Sequence, residues 1–180
     1  MKKWIAFVII FFLTITAGVM AVNLRFPVRH LDIVQEHAGE LDVSLILAVI
    51  MAESSFREDA RSPVGAQGLM QLMPSTAAEI AVRMGMTNFQ PEDVWRPEVN
   101  IAMGSFYLNR LVAMFGCEEL ALAAYNAGQG RVNRWLADPE VSYDGTRLDK
   151  IPFTETRNYL RRVQRNRQIY EIILRVTGRS

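Results

Sequence analysis

The stretch that most constrains the fold is Val43–Ala52, an apolar run in which Ser44 is the only polar side chain. The run does not alternate with a period of two, and it is too long for an ordinary half-exposed strand. It therefore predicts a helix that is buried on almost every side. Glu53 follows at once. Burial against neighbours such as Met51 and Phe56 would raise the pKa of this carboxyl and keep it able to donate a proton near neutral pH.

The loop after Glu53 adds two further features of a site. Gly65 and Gly68 permit sharp bends or a close approach of the backbone to a ligand. Gln71 is the lone polar residue of an apolar segment, Leu69–Met73. An acid, a glycine-bearing loop and an isolated amide together indicate a binding or catalytic site. The alternative is that Glu53 simply turns to solvent at the end of its helix.

Length and composition are those of one globular domain with a short appendage. The chain has 180 residues, is half hydrophobic and carries a formal net charge of +1, so neither disorder nor a strongly charged partner is indicated. The single cysteine, Cys117, excludes an intramolecular disulfide and a cysteine-cluster metal site. His30 and His37 have no carboxylate cluster near them in the sequence, and no metal site is predicted.

The remaining pattern is helical, with no convincing strand alternation. Apolar spacing predicts helices from Leu31 to Ala38, near Ile101–Phe115, over Glu118–Ala127 and over Thr154–Val176. Asp42 is expected to cap the buried helix, and Thr76 with Glu79 has the spacing of a capping box for a helix after Pro74. We predict a mainly α domain.

Three segments resemble one enzyme family, the soluble lytic transglycosylase-type (SLT) catalytic domain, which is lysozyme-like and related to goose-type lysozyme. The first is Glu53-Ser54-x-Phe56, followed by Ala60-x-Ser62-x-x-Gly65-Ala66-x-Gly68-Leu69-Met70-Gln71-Leu72-Met73-Pro74-x-Thr76-Ala77. The second is Ala123-Ala124-Tyr125-Asn126-Ala127-Gly128, and the third runs from Ile151-Pro152-Phe153 to Glu155-Thr156-Arg157-x-Tyr159. The resemblance extends over roughly Leu31 to Val176.

The resemblance implies a single domain of about seven to nine helices with a cleft for peptidoglycan glycan strands. It implies that Glu53 protonates the glycosidic oxygen of the β-1,4 bond between N-acetylmuramic acid and N-acetylglucosamine. The same group then accepts the proton of the muramoyl C6 hydroxyl, which closes on C1 to leave a 1,6-anhydromuramoyl end. Holding the nucleophile within the substrate exploits proximity. No metal and no other cofactor is implied.

Substrate-binding positions follow from the same motifs, residue by residue. Hydroxyl, amide and aromatic groups suit a saccharide, and Met70 is expected to form an apolar wall of the cleft. Glu155 is expected to orient the substrate or to stabilise positive charge as the bond breaks, or else to pair with a neighbouring arginine. The implied substrate-binding set is Ser62, Met70, Gln71, Tyr125, Asn126, Glu155 and Tyr159.

Other functions remain open at this point. A muramidase would use water in place of the C6 hydroxyl, and its second carboxylate would have to come from a residue such as Glu58 or Asp59 in an exposed turn. A catalytically idle glycan-binding module is a second alternative. An anchored partner-binding domain is a third, resting on seven arginines between Arg157 and Arg179. Nucleic acid is a poor partner if the domain is exported, as the amino terminus described next indicates.

The amino terminus indicates export. Met1-Lys2-Lys3 precedes Trp4–Val22, which contains no charged residue. That length favours a retained membrane anchor at residues 1–22 over a cleaved signal, with the rest of the chain outside the cytoplasm. Secretion after cleavage is the alternative. A linker is predicted at 23–29 and the catalytic domain at 30–180. Expected partners are peptidoglycan strands, the cytoplasmic membrane, and proteins of cell-wall or secretion machinery.

Overall fold

The computed structural model describes residues 2–179, apart from the side chains of Lys2, Lys3, Ile5, Ala6, Val8 and Ile9. This part of the chain forms eight α-helices and one 3-10 helix and contains no β-strand, which confirms the mainly α prediction. The elements are α1 Lys2–Arg25, α2 Leu31–His37, α3 Val43–Glu53, α4 Pro74–Arg83, a 3-10 helix Pro91–Trp95, α5 Pro97–Phe115, α6 Glu118–Ala127, α7 Gln129–Leu136 and α8 Thr154–Thr177.

Helix α3 is the centre of the core, as its apolar sequence predicts. Every residue from 44 to 51 is buried, and α8 packs along α3 more extensively than any other described pair of helices does. Burying each large aliphatic side chain contributes roughly 1.5–3 kcal/mol. The buried run therefore fixes α3 in place, and with it the position of Glu53 at its end.

Asp42 occupies the N-cap position of α3 but does not cap it. Its side chain makes no hydrogen bond to the helix amides and instead pairs with Arg167 of α8. Arg167 also pairs with Glu118 of α6 at 2.7 Å and with Glu171 at 3.1 Å. Asp42 is at the predicted N-cap position, but the predicted hydrogen bond to the helix amides is absent. The reason is that Arg167, which three carboxylates share, competes for the Asp42 side chain. The network ties α3, α6 and α8 together.

The capping box predicted from Thr76 and Glu79 does not form. Helix α4 begins earlier, with Pro74 at its first position and Met73 as the N-cap residue. Proline is favoured at N1 because its missing N–H has no helical partner there in any case. Glu79 lies on the exposed side and pairs with Arg83 and Arg110.

Helix α5 approaches the loop after α3 through Gly104. A Cβ built on Gly104 would lie 2.4 Å from the Met70 sulfur, so only glycine permits this contact. On the same helix Ile101, Leu108 and Leu111 are buried in the core, as their spacing predicts.

The linker predicted at 23–29 is partly helical and partly packed. Helix α1 continues to Arg25, and the side chains of Phe26 and Val28 pack on the core. The Tyr170 hydroxyl donates a hydrogen bond to the Pro27 carbonyl oxygen at 3.1 Å, and its ring meets Phe26 edge-on at 6.0 Å. The segment is therefore seated on α8.

Taking only the residues that the structure describes, no helix has both the length and the apolar character needed to cross a membrane. The membrane anchor predicted at residues 1–22 stays a prediction, and the positive start Met1-Lys2-Lys3 on which it depends lies outside the described side chains.

Candidate active site

Glu53 is the last residue of α3 and is partly buried. The chain turns sharply immediately after it, since Ser55 and Phe56 both adopt left-handed backbone angles, with φ of 54° and 61°. Such angles are uncommon for non-glycine residues and persist only where surrounding packing holds them. Here Ser54 and Phe56 are buried and hold the turn, which brings the carboxyl to the edge of the core.

Desolvation raises the pKa of Glu53 from 4.5 to about 7. The Tyr159 hydroxyl and the Arg162 guanidinium oppose this shift and lower the pKa of the carboxyl, whereas the charge of Glu155 raises it. Burial is the dominant cause. A carboxyl whose pKa is raised toward neutral pH can either give or take a proton there.

Two tyrosines face the carboxyl from different helices. Burial and the charge of Glu53 raise the phenol pKa of both Tyr125, on α6, and Tyr159, on α8, well above the usual value. Both phenols are therefore neutral near pH 7. The Tyr159 hydroxyl is buried and, within residues 2–179, makes no hydrogen bond of ordinary geometry, although it interacts with the Glu53 carboxyl. It is a donor available at the site.

Gln71 and Ser62 shape the loop that follows the acid in the chain. The Gln71 amide nitrogen donates to the carbonyl oxygens of Ala60 and Gly68, each at 2.8 Å, and its backbone is left-handed with φ of 49°. The Ser62 hydroxyl accepts the Ala66 N–H at 2.9 Å. Both side chains are partly exposed. These hydrogen bonds within the loop fix its shape. They do not use the side-chain oxygen of Gln71, Oε1.

Met70 has a different place from the one predicted. Its side chain is fully buried against Gly104, so in this structure it forms no exposed wall of a cleft. Its backbone is held instead: the Tyr125 hydroxyl donates to the Met70 carbonyl oxygen at 2.8 Å, and the Met70 N–H donates to Asn100 Oδ1 at 2.7 Å. The prediction of a substrate-contacting Met70 is wrong because core packing takes up the whole side chain.

The second and third motifs meet at the start of α8. The Thr156 hydroxyl donates to Asn126 Oδ1 at 2.9 Å, which joins the end of α6 to α8. Glu155, beside Thr156, is exposed, and Asn126 is partly exposed. Glu53, Tyr125, Tyr159 and Glu155 share one neighbourhood, because Glu53 acts on both phenols and Glu155 acts on Glu53.

Two residues with roles at the site were missed from the sequence. Asn100 of α5 is buried and, besides its bond to Met70, donates to the carbonyl oxygens of Gln67 and Val94. Arg162 lies one turn beyond Tyr159, with its guanidinium carbon 5.9 Å from the centre of that ring. The three-residue spacing from Tyr159 on a predicted helix is a signal that could have found Arg162.

A cavity of about 690 Å³ lies on another face of α8, between Leu45, Leu122 and Leu160, with Arg161 among its lining residues. Glu53 does not line it. In the described part of the chain, no group of three or more His, Cys, Asp or Glu side chains is arranged to hold a metal ion.

A helical core built on a buried helix that ends in an acid of raised pKa is the arrangement of a lysozyme-like domain. The model of the Transglycosylase SLT domain family matches residues 31–143, more than half of the chain, and the chain belongs to this family. It is 38% identical over 144 residues to the soluble lytic murein transglycosylase of Salmonella typhimurium, an alignment that covers 77% of this chain and 22% of the relative.

Two further similar proteins are a membrane-bound enzyme and an enzyme of known structure. The membrane-bound lytic murein transglycosylase C of Histophilus somni is 29% identical over 171 residues, covering 81% of this chain and 47% of its own length. An inactive Glu-to-Gln variant of the lytic transglycosylase Slt from Pseudomonas aeruginosa superposes with a TM-score of 0.74 at 39% identity, covering 86% of this chain and 26% of that one. The chain thus spans less than half the length of each of these three proteins.

Proposed function

We propose that this chain is a peptidoglycan lytic transglycosylase with Glu53 as its acid and then its base. The observation that carries the proposal is the state of Glu53, a partly buried carboxyl whose pKa is raised to about 7. Membership of the SLT family and the names of the murein transglycosylase relatives support the same substrate. Inactivity of the Glu-to-Gln variant of the Pseudomonas aeruginosa relative is consistent with a single essential acid.

The reaction proceeds in two proton transfers. Protonated Glu53 donates its proton to the glycosidic oxygen between N-acetylmuramic acid and N-acetylglucosamine, and the C1–O bond breaks. The C6 hydroxyl oxygen of the muramoyl ring then bonds to C1, and the Glu53 carboxylate accepts the hydroxyl proton. The acid returns to its starting form, no water is consumed, and the product ends in a 1,6-anhydro ring.

The neighbouring residues have roles consistent with this reaction. We assign Tyr125 and Gln71 to holding the saccharide next to the acid, with Ser62 and Asn126 at the loop and helix ends that border it. Tyr159 is buried, and we assign its hydroxyl to holding the Glu53 carboxyl. We assign Glu155, whose charge acts on Glu53, to favouring the positive charge that develops as the bond breaks. The alternative to transglycosylation is a muramidase reaction, which uses two carboxylates. It would require Glu155 or an exposed loop acid to activate water.

Digestion of purified peptidoglycan by the full chain tests the proposal. Mass spectrometry of the products should give fragments one water lighter than hydrolytic muropeptides, and Glu53→Gln should abolish them. Glu58→Gln is the matched control, since Glu58 is an exposed loop carboxyl five residues further on, and it should keep full activity. Hydrated products would identify a muramidase instead, and glycan binding without products would identify a binding module.

We further propose that residues 30–180 form the catalytic domain outside the cytoplasm and that α1 holds it at the membrane. Support comes from the uncharged stretch Trp4–Val22, from its exposed apolar side chains such as Trp4, Phe11 and Phe12, and from membrane-bound proteins among the relatives. Fractionation of cells expressing the chain is the test. Sedimentation of the intact chain with membranes, and release on removal of residues 1–22, is the expected result; an amino terminus cut near Ala21 would show secretion.

A further inference from the structure

The face of α8 that meets the end of α3 carries three chemically different side chains in sequence. Glu155, Tyr159 and Arg162 are spaced four and three residues apart and therefore share one side of the helix. Tyr159 is buried, whereas Glu155 and Arg162 are exposed on either side of it. The phenol that faces Glu53 thus sits between an anion and a cation.

Among the described residues, the Arg162 guanidinium contacts the Tyr159 ring and forms no ion pair with a carboxylate. Its guanidinium carbon lies 5.9 Å from the centre of the Tyr159 ring, within the range of a cation–π contact. In residues 2–179 neither Arg162 nor Glu155 forms an ion pair. The charges of both residues are therefore not neutralised by a close partner and act on the site between them.

We propose that Arg162 is a positioning residue that sets the pH range in which Glu53 works, and that Glu155 opposes it. This inference rests on the proposed function. Arg162 favours the carboxylate form of Glu53 by charge attraction, and it holds the Tyr159 ring from the solvent side so that its hydroxyl stays directed to the carboxyl. Glu155 favours the protonated form by charge repulsion.

The groups facing Glu53 make this interpretation specific. They are Tyr125 from α6 and Tyr159, Glu155 and Arg162 from α8. Both tyrosines are neutral near pH 7, so Arg162 and Glu155 are the two charges among these four. Since the two charges have opposite signs, removing them must shift the titration of Glu53 in opposite directions.

Measuring kcat/KM against pH separates the two effects. Loss of the cation in Arg162→Gln should move the alkaline limb of the profile up by about half a pH unit, and Glu155→Gln should move it down by a similar amount. Arg162→Lys should restore most of the original profile, because it keeps the charge. Arg161→Gln is the matched control: it removes the adjacent arginine, which lines the cavity on another face of α8, and should leave the limb in place.

Electrostatic action has a second signature. Both shifts should shrink as salt is raised, because exposed charges are screened. A limb that moves no further in Arg162→Gln than in Arg161→Gln, or that moves in the same direction in Arg162→Gln and Glu155→Gln, would overturn the proposal.

Carbon-13 NMR titration of the Glu53 carboxyl, without substrate, keeps this test independent of the proposed function. Suppose that the protein does not cleave peptidoglycan but that the Glu53 titration shifts in opposite directions in Arg162→Gln and Glu155→Gln. This result would refute the proposed enzyme function and support the proposed electrostatic roles of Arg162 and Glu155. Cleavage by Glu53 with a titration that both variants leave unmoved would refute the role of Arg162 alone. Circular dichroism of each variant confirms that the fold is kept.

Discussion

The Tyr125 hydroxyl donates a hydrogen bond to the Met70 carbonyl oxygen at 2.8 Å, so that α6 is tied to the loop that follows the acid. Tyr125→Phe removes the donor and leaves a carbonyl without this partner, which should lower the free energy of unfolding by about 1 kcal/mol. Urea denaturation measures the change. The matched control is Tyr143→Phe, whose ring is 90% exposed, and it should leave stability unaltered. Equal stability of the two variants would contradict this role of Tyr125.

Glu53→Gln should stabilise the protein in a pH-dependent way. The folded-state pKa is about 7 against 4.5 for the ordinary carboxyl, so between these values the folded chain keeps a proton that the unfolded chain has lost. Wild-type stability therefore falls as pH rises through this window. The variant has no such loss, and its advantage should be small below pH 4.5 and grow to at most about 3 kcal/mol above pH 7.

Urea unfolding of both proteins at pH 4.5, 6 and 8 measures that advantage. Glu36→Gln provides the control, since Glu36 is an exposed carboxyl of α2. An advantage of Glu53→Gln that is the same at all three pH values would show that the folded protein does not hold the proton.

Gly104→Ala should be destabilising although alanine favours helices. Its Cβ would lie 2.4 Å from the Met70 sulfur, and relieving that overlap in a packed core costs about 1–3 kcal/mol. Gly130→Ala is the opposite case, because Gly130 lies in α7 with nothing within 4 Å of the added carbon, and it should stabilise by about 0.5–1 kcal/mol. Thermal unfolding of both variants shows whether the signs differ.

Asn100→Asp tests the buried amide that hydrogen-bonds to the backbone of the loop after α3. The Asn100 side-chain nitrogen donates to the carbonyl oxygens of Val94 at 2.9 Å and Gln67 at 3.1 Å, and a carboxylate would face both with no donor. The loss should be about 3 kcal/mol or more at pH 7 and smaller in acid, where a protonated carboxyl can still donate once. Asn133→Asp, on the exposed side of α7, should cost far less.

The sequence is most informative where local chemistry dominates. An uninterrupted apolar run is stable only when it is buried. The buried helix α3 and the position of Glu53 at its end could therefore be predicted. The limits of α6 at Glu118–Ala127 were predicted correctly, and those of α8 to within one residue, because apolar spacing and a terminal glycine define them. Helix α7 was missed: it is polar throughout except for a few residues such as Val132 and Trp135, and its second residue is a glycine.

The site depends on relations that a sequence does not contain. Met70 could be assigned to a cleft wall because composition does not distinguish a wall from a core, and only its contact with Gly104 decides the matter. Arg162 is one arginine among several in the last helix. Its spacing from Tyr159 can be read from the sequence, but the position of this pair beside Glu53 depends on how α8 packs on α3.

The left-handed turn at Ser55 and Phe56, with Gln71 in the same conformation, has a consequence for ligand binding. Three non-glycine residues in the segment that follows the acid hold angles that a free chain seldom visits. Burial of Phe56 and the two bonds of the Gln71 amide maintain them without a ligand. The conformational entropy of shaping this surface is therefore lost when the chain folds and not when a saccharide arrives. Under the proposed function, the affinity gained from saccharide contacts is therefore not reduced by the entropy of ordering these residues.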